Sequence, residues 1–242
     1  MTTSPDTYFI DPMYRINPLN QTSPIGELPA FWNNRNNRQS WHAQFYVYQY
    51  ALQLAQKHNI HTVLDIGCGI AKPLTMTFDQ NFTLYGVDQA PAIDYCRKNN
   101  IRGTYEADDL EHPTLKLKHH LKTTPLIICA DVIEHVENPN HVLDYIKKFS
   151  NTDTQIIIST PDRHCLYRDK LHSPKNRYHI REWSFDEFHQ YITHYGFKVL
   201  EHKRLLSNKL GFNIHTAQLI ASKVIKALPL KHTQLMLLKM KS

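Results

Sequence analysis

At 242 residues, with 41% hydrophobic and 21% charged side chains, the chain is long enough for a substantial core and is read as one α/β domain behind an N-terminal cap. No apolar run approaches the ~18 residues of a membrane span, and residues 1–11 have neither a basic start nor an apolar centre, so neither a membrane helix nor a secretory leader is expected. Cys68, Cys96, Cys129 and Cys165 have no C-x-x-C spacing and read as reduced thiols of a cytoplasmic protein, and the formal charge of +6 implies a basic surface.

In chain order, residues 1–40 are rich in Pro, Asn and Thr and predict an irregular arm that enters a helix from about Trp41. Phe31, Trp32, Trp41, Phe45, Tyr46 and Tyr48 form an aromatic stretch that can close over a ligand or pad a core. The arm and cap are assigned to residues 1–50 and the main domain to 51–242. Apolar runs at 62–66, 83–87, 126–130, 155–159 and 198–200 have strand length, and residues 51–58, 93–99, 141–149 and 184–195 are patterned as helices. Further on, 212–228 reads as a helix and 233–239 as a last strand. This is the βαβ alternation of a Rossmann-like doubly wound sheet.

The sequence His61-Thr62-Val63-Leu64-Asp65-Ile66-Gly67-Cys68-Gly69 runs from an apolar strand into a glycine turn, and Tyr85-Gly86-Val87-Asp88 follows one helix-length later. Such a strand must end tightly enough to bring backbone N–H groups against a ligand, and a Cβ at Gly67 or Gly69 would block the turn or the approach. Asp88, nineteen positions past Gly69, has the spacing of an acid that accepts from both hydroxyls of a ribose. Lys72 stands where a dinucleotide fingerprint has its third glycine, which disfavours a pyrophosphate ligand. Read blandly, Asp65 closes a turn, Cys68 fills core space and Asp88 is a solvated strand-end acid.

Val63-Leu64-Asp65-Ile66-Gly67-Cys68-Gly69 resembles the first motif of the class I S-adenosylmethionine-dependent methyltransferases. The resemblance continues in order through Gly86-Val87-Asp88, the acidic Ala107-Asp108-Asp109-Leu110, and Ile128-Cys129-Ala130-Asp131-Val132-Ile133-Glu134-His135-Val136, and it covers roughly residues 60 to 200. It implies a sheet of seven strands, completed by 233–239, and S-adenosyl-L-methionine as cofactor. It also implies cofactor contacts from Asp65, Gly67, Cys68, Gly69, Asp88, Gln89, Asp108, Asp109, Leu110 and Ala130. Between the two neighbouring acids, Asp109 is the first choice for the adenine amino group.

The segment Asp131 to Val136 leaves a fully apolar strand beside the reacting end of such a cofactor. As plain structure, Asp131 would cap the next helix with Glu134 three residues on. As chemistry, Asp131 belongs to the catalytic set and His135 has a pKa suited to taking a proton near neutrality. A second constellation follows the fifth strand, where a long loop between Pro161 and Trp183 carries six Lys/Arg and three Asp/Glu and ends at Ser184 with Glu187, a capping box. This stretch resembles the Asn-x-x-His-x-x-x-Trp segment of bacterial small-molecule and glycan-modifying methyltransferases, which makes His179 the competitor of His135 for general base. Arg163, Arg168, Lys175 and Arg177 are candidate clamps for an anionic acceptor.

The 16 histidines contain no H-E-x-x-H and no zinc-type spacing, so no metal is expected. Asp131 with Asp162 is the pair that could serve a hard cation. From Lys198 onward nine Lys/Arg face the single Glu201, a basic run that suits solvent, an anionic substrate or nucleic acid. The expected activity is methyl transfer to an oxygen, less so a nitrogen, of a small-molecule or glycan-type acceptor. The alternatives are an RNA methyltransferase using the basic C-terminal face and a non-catalytic cofactor-binding module.

Overall fold

A computed structural model describes residues 8–14, 16, 34–167, 173–174, 176, 178–206 and 233–241. Helix α1 (Asn34–Lys57) leads into β1 (Thr62–Ile66), α2 (Lys72–Thr77), β2 (Thr83–Asp88), α3 (Ala90–Lys98), β3 (Thr104–Ala107) and β4 (Leu126–Ala130). After these come α4 (Pro139–Phe149), β5 (Gln155–Pro161), α5 (Arg163–Tyr167), α6 (Phe185–His194), β6 (Phe197–Leu205) and β7 (Thr233–Met240). No helix of the described residues is long and apolar enough to cross a membrane.

The seven strands lie in the order β3-β2-β1-β4-β5-β7-β6, parallel except for β7, which runs antiparallel between β5 and β6. Alternation along the central strands explains the two cores. Leu64, Ile66, Ile127, Cys129, Ile156 and Ile158 face α4 and α6, while Val63, Ile128 and Ile157 face α1 and α3. Both faces are covered, so the central strands read as unbroken apolar runs; β4 is buried at every position. The order reverses between β1 and β4, and in open α/β sheets ligands settle in the crevice at the carboxyl ends of the strands flanking such a point.

Several elements differ from the sequence reading. Helix α1 begins at Asn34 rather than about Trp41. The short strand β3, helix α2 and helix α5 were not foreseen, since four to six residues hold too little periodicity to register. The expected strand at 198–200 extends over Phe197–Leu205 as the sheet edge, where a register shift between Val199 and Glu201 leaves Leu200 exposed. Asp131 does not cap the next helix: α4 starts at Pro139, and the Asn138 side chain accepts from Asn140 N. The expected helix at 212–228 lies outside the described residues, as do Phe31 and Trp32.

Candidate functional site

The glycine turn grows directly out of β1. Gly67 N and Cys68 N both donate to Val87 O, at 2.9 and 3.1 Å, which folds the chain over the end of β2. Gly67 has φ +77°, and a Cβ there would lie 2.2 Å from Val132 Cγ2, so the turn rests against the loop leaving β4. Gly86 makes the matching space in β2, where a Cβ would sit 2.7 Å from Cys68 Sγ.

Asp88 accepts from Gly69 N on one oxygen and from its neighbour Gln89 N on the other, both at 2.7 Å. A carboxylate has about four lone-pair sites, so capacity for a vicinal diol remains. Burial raises its pKa to about 6, against the backbone bonds that lower it. Asp65 is fully buried; its Oδ2 accepts from the Tyr48 hydroxyl at 2.7 Å, whereas Oδ1 has no partner. Burial raises Asp65 to about 7. Gln89 Oε1 is likewise buried and unpartnered. Such orphans are rare in a folded interior, and at the mouth of a sheet they fit groups that a ligand satisfies. Polar donors of S-adenosylmethionine suit these acceptors.

The two neighbouring acids part company. Asp108 accepts from Asp109 N, Thr114 N, Thr114 Oγ1, Leu115 N and the Tyr145 hydroxyl, at 2.7–3.1 Å, and so closes the 108–115 loop. Asp109 is exposed, accepting from Glu111 N and facing His112. Leu110 packs against the core on the α4 side, and Cys68 is buried. Ala130 is buried too, and its carbonyl accepts from Gln44 Nε2 of α1 at 2.9 Å.

Asp131 takes the left-handed conformation at φ +54°, its N–H on Ser159 O and its Oδ1 accepting from the Ser159 hydroxyl at 2.9 Å. The turn that follows aims Glu134 inward. Glu134 Oε2 accepts from the Thr160 hydroxyl at 3.0 Å, Oε1 has no partner, and burial pushes the carboxyl well above the usual range. The 178–181 segment is tied to this turn by Ile180 N on Glu134 O at 2.9 Å and by Arg181 on the carbonyls of Val136 and Glu137, both at 2.7 Å.

That tie brings His135 and His179 together, with ring centroids 4.8 Å apart. His135 Nδ1 lies 2.6 Å from Tyr178 O; a carbonyl only accepts, so Nδ1 carries the proton and Nε2 the lone pair. Enclosure and the His179 ring lower the His135 pKa, a drop limited because the residue keeps an edge exposed to solvent. His179 Nδ1 lies 2.6 Å from Glu182 Oε1, and Asn176 Nδ2 is 2.8 Å from its Nε2. One ligand atom each from Glu134, His135 and His179 lies within 4.8 Å of the others. Metal-ligating histidines hold their second nitrogen on a carbonyl or carboxylate in this way. The two-nitrogen, one-oxygen set suits a divalent ion such as Mn²⁺ or Zn²⁺. The expected cation pair does not form part of it, since Asp162 is engaged by Arg204 Nε at 2.6 Å.

The expected anion clamp is corrected at Arg163, which is buried in a two-pronged ion pair with Glu187. Arg168, Lys175 and Arg177 lie outside the described residues. Sequence reasoning missed Gln44 and Glu182 as supports of the site; it placed Tyr48 in the aromatic stretch without its bond to Asp65, and it read Glu134 both as a cap and, with His135, as a pair near the methyl-transfer centre. A tyrosine or glutamine on a helix gives no sign of what it will touch, whereas Glu134, next to His135, carried a signal in its position.

A family described as a methyltransferase domain matches residues 10–202. The ubiquinone biosynthesis O-methyltransferase of Rickettsia bellii (strain OSU 85-389) is 34% identical over 109 residues, 42% of this chain and 42% of that protein. The chain thus matches less than half the length of that curated relative. Among solved structures, a chain of the complex between the Haloferax volcanii Trm112 methyltransferase activator and a methyltransferase superposes with a TM-score of 0.63 at 12% identity, covering 89% of this chain and 98% of that one. The plantazolicin methyltransferase BamL, in complex with a triazolic desmethylPZN analogue and SAH, gives 0.57 at 15% identity, covering 93% and 98%. With motifs, strand order and family match in agreement, the chain belongs to the methyltransferase domain family and has the Rossmann-like fold of the class I S-adenosylmethionine-dependent enzymes.

Proposed function

We propose that the chain transfers the methyl group of S-adenosylmethionine to an oxygen of a small-molecule or glycan-type acceptor docked against Glu134, His135 and His179. The observation that carries this reading is the convergence of these three side chains beside the loop that abuts the glycine turn, which would put the acceptor next to the cofactor. Relatives named as O-methyltransferases support oxygen as the acceptor atom. Asp88 would hold the ribose hydroxyls, Asp65 and Gln89 would accept from other cofactor donors, and exposed Asp109 is better placed than saturated Asp108 to meet the adenine amino group.

The methyl is already activated on a sulfonium, so the protein's main work is to hold the acceptor oxygen in line with the breaking carbon–sulfur bond. In this reading Glu134 Oε1 and the Nε2 atoms of His135 and His179 would hold a divalent cation, His179 Nε2 giving up the bond it accepts from Asn176 Nδ2. Such an ion, when bound, lowers the pKa of a coordinated hydroxyl. Asp131, strained on its turn and bonded to Ser159, fixes the loop that presents these groups. A second reading, favoured by the protonated Nδ1 of His135, uses an imidazole Nε2 as the general base without an ion, with His179 first and His135 as its competitor.

Turnover of methyl-labelled cofactor with a metabolite pool, before and after chelation, tests both. Loss with EDTA and recovery with Mn²⁺ supports the cation, and unchanged turnover that falls in His179→Ala supports the base. No labelled product, with labelled cofactor still bound, would leave a binding module. Filter binding to RNA addresses the remaining alternative; tight, salt-sensitive retention would move the acceptor to nucleic acid.

A further inference from the structure

We propose that residues 8–14 form a strap that orients His179, with Tyr14 and Glu182 as its positioning residues. The proposal rests on the reading that His179 works at the acceptor end, and it adds how that ring is held. Glu182 is completely buried, and its two carboxylate oxygens have separate duties. Oε1 accepts from His179 Nδ1 at 2.6 Å, and Oε2 accepts from the Tyr14 hydroxyl at 3.3 Å, across 168 positions of sequence. A buried carboxylate stripped of a donor is more easily protonated, and a protonated Glu182 no longer requires the proton on His179 Nδ1, so the tautomer loses what fixes it.

The strap is anchored along its length. Trp183 Nε1 donates to Tyr8 O at 3.0 Å, and Asp11 N donates to Glu187 Oε1 at 2.8 Å. The Arg181 guanidinium lies 4.9 Å from the Tyr8 ring centroid and that of Arg163 lies 4.5 Å from Tyr14. Ile10 and Tyr14 are buried in the core at 3% and 7% exposure. The contacts of Tyr8 and Asp11 fall on the 181–187 stretch that follows His179, and Arg163 is itself paired with Glu187 of that stretch, so the strap braces the segment presenting the imidazole. The same stretch supplies Glu182, which makes Tyr14 the outer end of a two-bond relay to the site.

The test uses the full chain, labelled with ¹⁵N-histidine and freed of metal by chelation, with His179→Gln identifying the His179 signals. Wild type should show Nδ1 protonated and Nε2 unprotonated. Glu182→Gln and Tyr14→Phe should each move His179 toward the opposite tautomer or into exchange between the two, with thermal melts confirming folding. Mn²⁺ titration of the same proteins should show affinity weakened by about 10–100-fold, the range for loss of an outer-shell partner. A wild-type tautomer in folded Tyr14→Phe overturns the strap, whatever Glu182→Gln does. Should Tyr14→Phe fail to fold, Ile10→Ala loosens the same segment without touching the hydroxyl, and an unmoved tautomer there overturns the proposal equally. If wild type binds no Mn²⁺, the cation reading fails while the tautomer comparison still decides the strap.

Discussion

Asp88 shows how one side chain can tie cofactor binding to pH. Burial raises its pKa to about 6 from an ordinary carboxylate value near 4. Between those two values the folded chain binds more protons than the unfolded one, so its contribution to stability is present below about pH 4 and is lost as pH rises toward 6. Ribose hydroxyls donate, so the cofactor prefers the charged form and its binding has the opposite sign. We expect the affinity for S-adenosylhomocysteine, measured by calorimetry from pH 7.5 to 5, to weaken as pH falls through about 6, approaching tenfold per unit. Asp88→Asn should bind more weakly at neutral pH and lose most of this slope. An equal slope in the mutant would assign the titration to Asp65, which burial raises to about 7. Gly67 offers a second test at this scale. The left-handed conformation of Gly67→Ala costs about 1–2 kcal/mol, and its methyl strikes Val132. Adding Val132→Ala should relieve the clash but not the backbone strain, so thermal melts should show partial rescue.

Helix α6 illustrates how an element is built to carry a site it does not contain. Ser184 accepts from Glu187 N, and Glu187 returns a bond to Ser184 N, the reciprocal box that the sequence announced. Ser184→Ala should cost about 1 kcal/mol in urea denaturation. Glu187 also neutralises buried Arg163 and accepts from Asp11 N. Replacing it with alanine strands a buried guanidinium and should cost about 3 kcal/mol; equal losses in the two mutants would mean that the ion pair contributes nothing beyond the cap. This double duty was not legible in sequence, because a capping box is local whereas Arg163 lies 24 positions away. The loop from β4 shows the same limit: its Glu-His pair was visible, but its role as a helix start was misread because Asn138 takes the cap.

At the scale of the whole molecule, the N-terminal segment is woven into the sheet's far end rather than laid over it. The sequence left open whether the N-terminal aromatic stretch closes over a ligand or pads a core. With Ile10 and Tyr14 buried and Tyr8 bonded to Trp183, removal of residues 1–14 should lower the melting temperature by several degrees and also weaken the acceptor end. Binding of S-adenosylhomocysteine to that truncated chain should survive, because the glycine turn, Asp65 and Asp88 are held by α1 and β2. Loss of cofactor binding with an unchanged melt would contradict this division of labour.

The sequence by itself determined the central βαβ architecture and the glycine turn with the residues proposed for the cofactor. Strand, turn and the proposed ribose acid lie within 27 consecutive residues, from Thr62 to Asp88, and each follows from local needs: apolar runs for strands covered on both faces, glycines where a Cβ collides, a carboxylate at a strand end. The acceptor end was decided only by tertiary structure. His135 and His179 were both visible, but as rivals, because nothing in a spacing of 44 positions says that two rings will meet. They meet because Ile180 N finds Glu134 O and Arg181 finds two carbonyls of the same turn. Glu182 and Tyr14 join them through packing that spans 168 positions of sequence. Contacts of that range depend on how strands are ordered in the sheet, and periodicity, which reports only local geometry, carries no record of that order.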